Sequence, residues 1–334
     1  MKVLIIRFSS FGDVLQTLSV AGRIGQSWPE AEIHWASRTE FVPLIESHPR
    51  ISKVWSLNKG AGLAELVRLG SQLRAQGFTH VYDAHNSLRS RILGWQLCGG
   101  LGWRCWFGRL KFLRRSIFRW RRFLLFRFRI NRFPKPFSGQ RALLEPLAKW
   151  GLPIEAPPVP QLFLPSVDLK SRIGRGPYIA LAPSAAFPLK RWPVEKWQEL
   201  IRSEERHRFV ILGGPEDSFL KELELDPMRV VNLAGQLSLM ESAVVVSQAQ
   251  ALVSNDTGLM HVAEQVGVPC VALMGPAPFG FPSRPKTKIL QKDLTCRPCS
   301  KHGQGPCVNP NFQQCLRDIT VKEVRQELEC LIHA

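Results

Sequence analysis

An α/β protein of two successive halves is what the sequence predicts, and three observations predict it. Short apolar runs alternate with helical patterns from the first residues. A Pro-rich stretch, LPIEAPPVPQLFLPS from Leu152, interrupts the rhythm near the middle, and beyond it the same alternation restarts. Alternation at this spacing means parallel βαβ units. The 334 residues suffice for two ordinary domains, and 45% apolar content supplies a core to each.

The first half reads as a strand at residues 3–6, a helix from 14, a strand at 32–36, a helix near 41–46, a strand at 54–57, a helix near 63–76 and a strand at 81–83. After the Pro-rich linker come a strand at 178–182, a helix from 194, a strand at 208–212 and helices from 216 and 239. A strand at 251–254, a helix from 259, a strand at 270–274 and an amphipathic helix at 321–332 complete the chain. Ligands of such folds bind outside the carboxyl ends of the strands, so a cleft between the halves is the expected site.

The net charge of +18 is unevenly placed: residues 101–141 hold 13 Lys/Arg and no Asp or Glu, leaving +5 for the rest. In this insertion, LGWRCWFGRLKFLRRSIFRWRRFLLFRFRINRF, the residues Leu110, Leu113, Ile117, Trp120 and Leu124 recur at helical spacing with Lys and Arg to the sides. It reads as a basic helix packed on its own domain, as a base-stacking nucleic-acid surface, or as a helix lying on an anionic membrane. The last is favoured, since no nucleic-acid motif accompanies it. The first apolar run is strand length and flanked by Lys2 and Arg7, which argues against a signal peptide. No long uncharged apolar run supports a spanning helix. A cytoplasmic location is expected, and with it reduced thiols for the eight cysteines.

Four turns carry chemistry. The opening FSSFGDVLQTL has one glycine, Gly12, where a dinucleotide fold needs G-x-G-x-x-G, and it places Asp13 at the start of a helix, where its charge would repel a phosphate. In SNDTGLMHVAEQVGVPCVALMGP a strand ends at Ser254 and a helix begins near Leu259. Its first backbone N–H groups make an anion site, Gly258 admits close approach, and His261 lies on the first turn. Asp256 or Thr257 alternatively serves only as a helix cap. PSAAFPLKRWP presents Lys190 after a strand, placed to neutralise a phosphate or to stand as an ordinary surface charge. Gly213-Gly214 precedes Glu216 and Asp217, both able to accept from hydroxyls. Finally, Cys296, Cys299, Cys307 and Cys315 form C-x2-C followed by two seven-residue gaps, near the spacing of a structural zinc site but looser than a zinc ribbon.

These stretches, with YDAHNSLRSRIL, closely resemble the ADP-heptose:lipopolysaccharide heptosyltransferases, glycosyltransferase family 9. The similarity spans nearly the whole chain and is weakest over residues 101–141. It implies a GT-B architecture, two Rossmann-like domains facing across a cleft. The acceptor domain would be residues 1–160 with the basic insertion 101–141, the nucleotide-sugar domain residues 161–320, and a last helix, 321–334, would cross back.

The resemblance makes Asp13 the general base of an inverting transfer from ADP-heptose to the inner core of a lipopolysaccharide precursor. Ser10, Gly12 and Arg89 would lie on the acceptor side. Lys190 would act on the diphosphate or the sugar, and backbone groups at Thr257 and Gly258 would take the leaving phosphate. Asp256 and His261 would bind the heptose or diphosphate, and Glu216 the ribose, with Asp217 as competitor. Ser184 and Ala185 stand where family members often carry hydroxyls. The family usually needs no divalent metal, and some members have a Cys-rich segment at the same place. Expected partners are ADP-heptose, a lipid-linked lipopolysaccharide core acceptor and the anionic inner face of the inner membrane, with no nucleic acid. Another nucleotide sugar, a later core acceptor, or a non-catalytic module binding nucleotide or anionic polymer are the alternatives.

Overall fold

A computed structural model of the chain describes residues 1–100, 108, 110–134 and 137–333. It divides into two compact units, Met1–Phe118 with Gln140–Phe163, and Arg119–Gly139 with Leu164–Ala334.

The first unit is built on a parallel sheet of five strands: β1 (Lys2–Ile6), β2 (Glu32–Arg38), β3 (Ile51–Leu57), β4 (His80–Asp83) and β5 (Lys111–Arg114), in the order β3-β2-β1-β4-β5. The inner strands β1 and β4 are buried almost throughout, as a parallel sheet covered by helices requires. Strand order reverses between β1 and β4, so the crevice beyond their carboxyl ends is where a ligand site belongs.

The second unit repeats the plan with six parallel strands: β6 (Ile179–Ala182), β7 (Phe209–Ile211), β8 (Val230–Asn232), β9 (Ala251–Asn255), β10 (Cys270–Leu273) and β11 (Thr287–Leu290), in the order β11-β10-β9-β6-β7-β8. Its switch point falls between β6 and β9. The core under one face holds Trp192 and Trp197 edge to face, with ring centres 5.1 Å apart. The indole of Trp192 donates to the Ile319 carbonyl, satisfying its buried N–H.

Several elements differ from the expectation. The strands β5, β8 and β11 were not anticipated. Leu110 and Leu113, assigned above to a helical stripe, are buried beside and within the sheet strand β5. The helix of the basic segment is Arg119–Phe128; Leu125 is its buried residue, while Trp120 is 69% exposed. This helix belongs to the second unit, so the insertion is divided rather than carried whole by the first. The final helix, Val321–Ile332, packs Val321, Val324 and Leu328 into the second unit's own core, and the helix expected from residue 216 is a 3₁₀ turn, Ser218–Leu223. Among the described residues no helix is long and apolar enough to cross a membrane.

Candidate active site

In the first unit, β1 runs through Arg7 into Ser10, which holds extended backbone and begins the helix Phe11–Ser27. Asp13 sits at the third helical position and accepts from the Ser10 hydroxyl at 2.8 Å and from its backbone N–H at 3.4 Å. That is a capping contact, but the carboxylate does more. One Arg7 Nη lies 2.5 Å from Asp13 Oδ2, and Arg115 Nη1 lies 3.7 Å from Oδ1. Both guanidiniums are largely buried, whereas Asp13 keeps 35% exposure, so the carboxylate is open to a ligand and its counter-charges are not. Burial pushes the carboxyl pKa up. Arg7, Arg115 and Ser10 outweigh it and hold the group well below the usual carboxylate range.

Arg115 is positioned by the turn after β4. Asp83, fully buried, accepts from the backbone N–H of His85 and Asn86, from the Ser90 hydroxyl and from Arg114 Nε, at 2.8–3.1 Å. With Asn86 in the left-handed region at φ 54°, its amide reaches the Arg115 carbonyl at 2.8 Å. The Arg115 N–H in turn donates to the Asp83 carbonyl at 2.9 Å. Beside this turn His85 has a buried Nδ1 with no hydrogen-bond partner. Burial, then the Arg7 charge, draws its pKa down to about 4, so the ring is neutral at pH 7. Gly12 lies in the first helical turn beside Asp13. Arg89 donates instead to the Ala61 carbonyl at 3.2 Å, and among the described residues no ion pair joins it to Asp13.

At the β6/β9 switch point of the second unit, Lys190 Nζ lies 2.6 Å from Asp256 Oδ2, with both side chains mostly buried. Asn255, fully buried, links the two loops: its amide donates to the Pro183 carbonyl at 2.6 Å and its oxygen accepts from the Trp192 N–H at 3.1 Å. Thr257 is the N-cap of the helix Gly258–Val266 but makes no side-chain cap bond, so the first N–H groups of that helix stay available to an anion. Asp256 is committed to Lys190, which argues against the cap-only reading. Two glycines in the left-handed region let loops close over this pair. A Cβ on Gly280 would stand 3.1 Å from Asp256 Oδ1, and one on Gly303 only 2.6 Å from Lys190 Cγ.

Around them, Asp217 accepts from the Ser184 hydroxyl at 2.5 Å, from the Gly214 N–H at 2.8 Å and from Arg191 at 3.2 Å. Arg191 also donates twice to the Ala185 carbonyl. Asp217 is thereby spent on loop structure, while Glu216 is exposed. His261 is buried with Nδ1 3.1 Å from Glu264, whose other oxygen accepts from the backbone N–H of Ser283 and Arg284. Cys296, Cys299, Cys307 and Cys315 are free thiols that line one small pocket, and burial pushes Cys315 up to about 11. Among the described residues, no group of three His, Cys, Asp or Glu is arranged to hold a metal ion.

Sequence reasoning missed Arg7, Asp83, Arg115 and Glu264. Asp83 had a local signal, an acid ending a buried strand; the two arginines had none, lying 108 positions apart in the chain.

Two Rossmann-like units, each with charged residues gathered at its switch point, fit the GT-B fold class of glycosyltransferases. Residues 66–305 match the model of glycosyltransferase family 9 (heptosyltransferase), and the chain belongs to that family. It is 26% identical over 360 residues to lipopolysaccharide heptosyltransferase 2 of Escherichia coli K12, covering 99% of each chain. Among solved structures it shares its fold with a family 9 glycosyltransferase from Veillonella parvula at a TM-score of 0.77, with 20% identity over 99% of this chain and 97% of that one. E. coli heptosyltransferase WaaC with ADP-2-deoxy-2-fluoro heptose matches at 0.68, with 21% identity over 98% and 99% of the two chains.

Proposed function

We propose that this glycosyltransferase moves L-glycero-D-manno-heptose from ADP-heptose to the inner core of a lipopolysaccharide precursor, with inversion, at the cytoplasmic face of the inner membrane. The observation that carries the reading is Asp13: a part-exposed carboxylate at a switch point, kept ionised by two buried arginines. A carboxylate so placed suits a hydroxyl acceptor better than a phosphate.

In the reaction the acceptor oxygen attacks the anomeric carbon. The bond from that carbon to the diphosphate oxygen breaks, its electron pair leaves with ADP, and the hydroxyl proton passes to Asp13. Asp13 is a weak base in the ground state. That suffices, because the hydroxyl becomes acidic only as the new C–O bond forms.

On the donor side, the N–H groups at Thr257 and Gly258 suit the leaving phosphate and Lys190 its second charge. Asp256 and His261 are assigned to the sugar or diphosphate, Ser184 and Ala185 to further donor contacts, and Glu216 to the ribose. Asp217, already satisfied three times over, is the weaker ribose candidate. Ser10 and Gly12 are assigned to the acceptor side. Arg89 would have to leave the Ala61 carbonyl to join them. WaaC, whose structure contains an ADP-heptose analogue, supports this donor. No divalent metal is assigned a role.

The test is calorimetric titration of the chelator-treated protein with ADP-heptose, UDP-sugars and GDP-sugars, then turnover with a Kdo-lipid A acceptor. Saturable binding of ADP-heptose alone, and ADP release only with acceptor, is expected. Equal binding of every nucleotide sugar would overturn the donor assignment, and binding without turnover on any core acceptor would favour a non-catalytic module.

A further inference from the structure

We propose that the second unit carries a docking surface for anionic phospholipid bilayers, formed by the helix Arg119–Phe128 and the residues after it up to Arg132. Four large apolar side chains stand in solvent there: Trp120 at 69%, Phe123 at 49%, Phe128 at 54% and Ile130 at 43% exposure. Trp120 and Phe123 stack at 5.6 Å and Phe128 meets Phe123 edge-on at 5.6 Å, so the three rings form one patch. Elsewhere among the described residues, exposed large apolar side chains occur singly or in pairs along the chain. Contiguous exposed apolar surface on a folded protein marks an interaction site.

Charge names the occupant. Arg119, Arg121, Arg127, Arg129 and Arg132 are exposed in the same segment, the Arg127 guanidinium lies 5.4 Å from the centre of the Phe128 ring, and no Asp or Glu occurs between residues 101 and 141. Aromatic rings that enter the interfacial layer while arginines reach lipid phosphates are the chemistry of a helix lying on an anionic bilayer. A single-stranded nucleic acid fits less well. Two of the rings spend a face on each other, and Ile130 offers a base nothing to stack on.

The patch is also held from beneath. Leu125 is 1% exposed, and the Arg122 guanidinium lies 4.2 Å over the ring of Phe279. Phe126, Phe133 and Phe137 pack edgewise on that same ring. Arg129 donates to the Pro298 carbonyl at 3.0 Å, and the hydroxyls of Ser138 and Ser283 are 2.7 Å apart. The exposed side chains therefore sit on an anchored helix, and the unit that carries Lys190 and Asp256 is the one that would meet the membrane.

This proposal rests on the membrane location proposed above and names the surface that would provide it; its test reads lipid binding, so it can fail while the transfer reaction stands. The full-length protein is floated with vesicles of phosphatidylethanolamine and phosphatidylglycerol, with phosphatidylcholine vesicles and a single-stranded oligonucleotide as comparisons. Expected is binding to the anionic vesicles that weakens at raised salt and falls at least ~10-fold in a Trp120→Ser, Phe123→Ser, Phe128→Ser variant whose melting temperature is unchanged. Should that variant fail to fold, quenching by brominated lipid decides: wild-type emission should be quenched and the quenched component lost in Trp120→Phe. Absence of anionic-vesicle binding, equal binding to phosphatidylcholine, binding to the oligonucleotide alone, or quenching that survives in Trp120→Phe would each overturn the proposal.

Discussion

At the switch point of the first unit, one carboxylate, Asp13, faces two guanidiniums, Arg7 and Arg115; at that of the second, one carboxylate, Asp256, faces one ammonium, Lys190. The first cluster carries a surplus positive charge that its own members cannot neutralise. Asp13 therefore stays ionised although partly buried, and on the proposed reading the surplus would favour an anionic acceptor. The second cluster is balanced and more fully shielded. On the proposed reading, a donor diphosphate arriving there would compete with Asp256 for Lys190 and exchange one buried pairing for another. One switch point is thus charged in advance, and the other is neutral until a ligand comes.

The largest break in this comparison is Asp13→Ala. Turnover should fall by about 10²- to 10⁴-fold, the usual worth of a positioned base, with nucleotide-sugar affinity unchanged. Turnover that persists, or donor binding lost in parallel, would remove Asp13 from the chemistry. Next comes Asp256→Ala, which leaves Lys190 mostly buried and unpaired. The expected destabilisation is about 3 kcal/mol, the lower end for one-sided removal of a buried ion pair, since Lys190 retains 15% exposure. Chemical denaturation measures it. Asp256→Ala and Lys190→Met combined should cost less than Asp256→Ala alone, and a double variant as unstable as the sum of the two would contradict the pairing.

How much of this was legible follows from where each residue sits. The inner strands β1, β4, β6, β9 and β10 were readable because both faces are covered and the sequence there is apolar. The missed strands β5, β8 and β11 are all sheet edges of three or four residues, where one side lacks a partner and charged or polar residues such as Lys111, Asn232 and Lys288 interrupt the apolar run. Around β5 the spacing of Leu110, Leu113 and Ile117 mimics a helix, and only the pairing of Lys111–Arg114 with β4 decides otherwise. Asp256, Thr257 and Gly258 were legible as a turn because they follow β9 directly, and Asp13 as an acid in the first turn of a helix because the helical pattern opens around it. Arg115 was not, since its role depends on Asp83 and Asn86 folding against it from another element.

A sharper test of the unbalanced cluster is Arg115→Gln. Removing a positive charge 3.7 Å from Asp13 should raise the carboxyl pKa, moving the acid limb of the kcat/KM profile to higher pH. Because that pKa is depressed in the folded state, its contribution to stability is present above the ordinary carboxylate range and fades as pH falls through the folded value. The variant should therefore lose activity earlier on acidification while its neutral-pH stability changes little, since Arg7 and Ser10 still hold Asp13. An acid limb that does not move would mean that another group sets it.

A last effect belongs to His85, which lies beside the same cluster and feels its surplus charge. Its pKa is lowered to about 4 by burial first and by Arg7 second, so the folded protein holds the ring neutral while the unfolded chain protonates near the ordinary 6.5. The sign follows. The stabilising contribution is complete above pH 6.5 and declines as pH falls toward 4, by an amount on the order of 1–3 kcal/mol. His85→Gln has no proton to bind in either state, so its denaturation free energy should fall less steeply than wild type over that interval, even if it is lower at pH 7. Parallel pH dependence in wild type and His85→Gln would mean that the first cluster does not exert the field assigned to it.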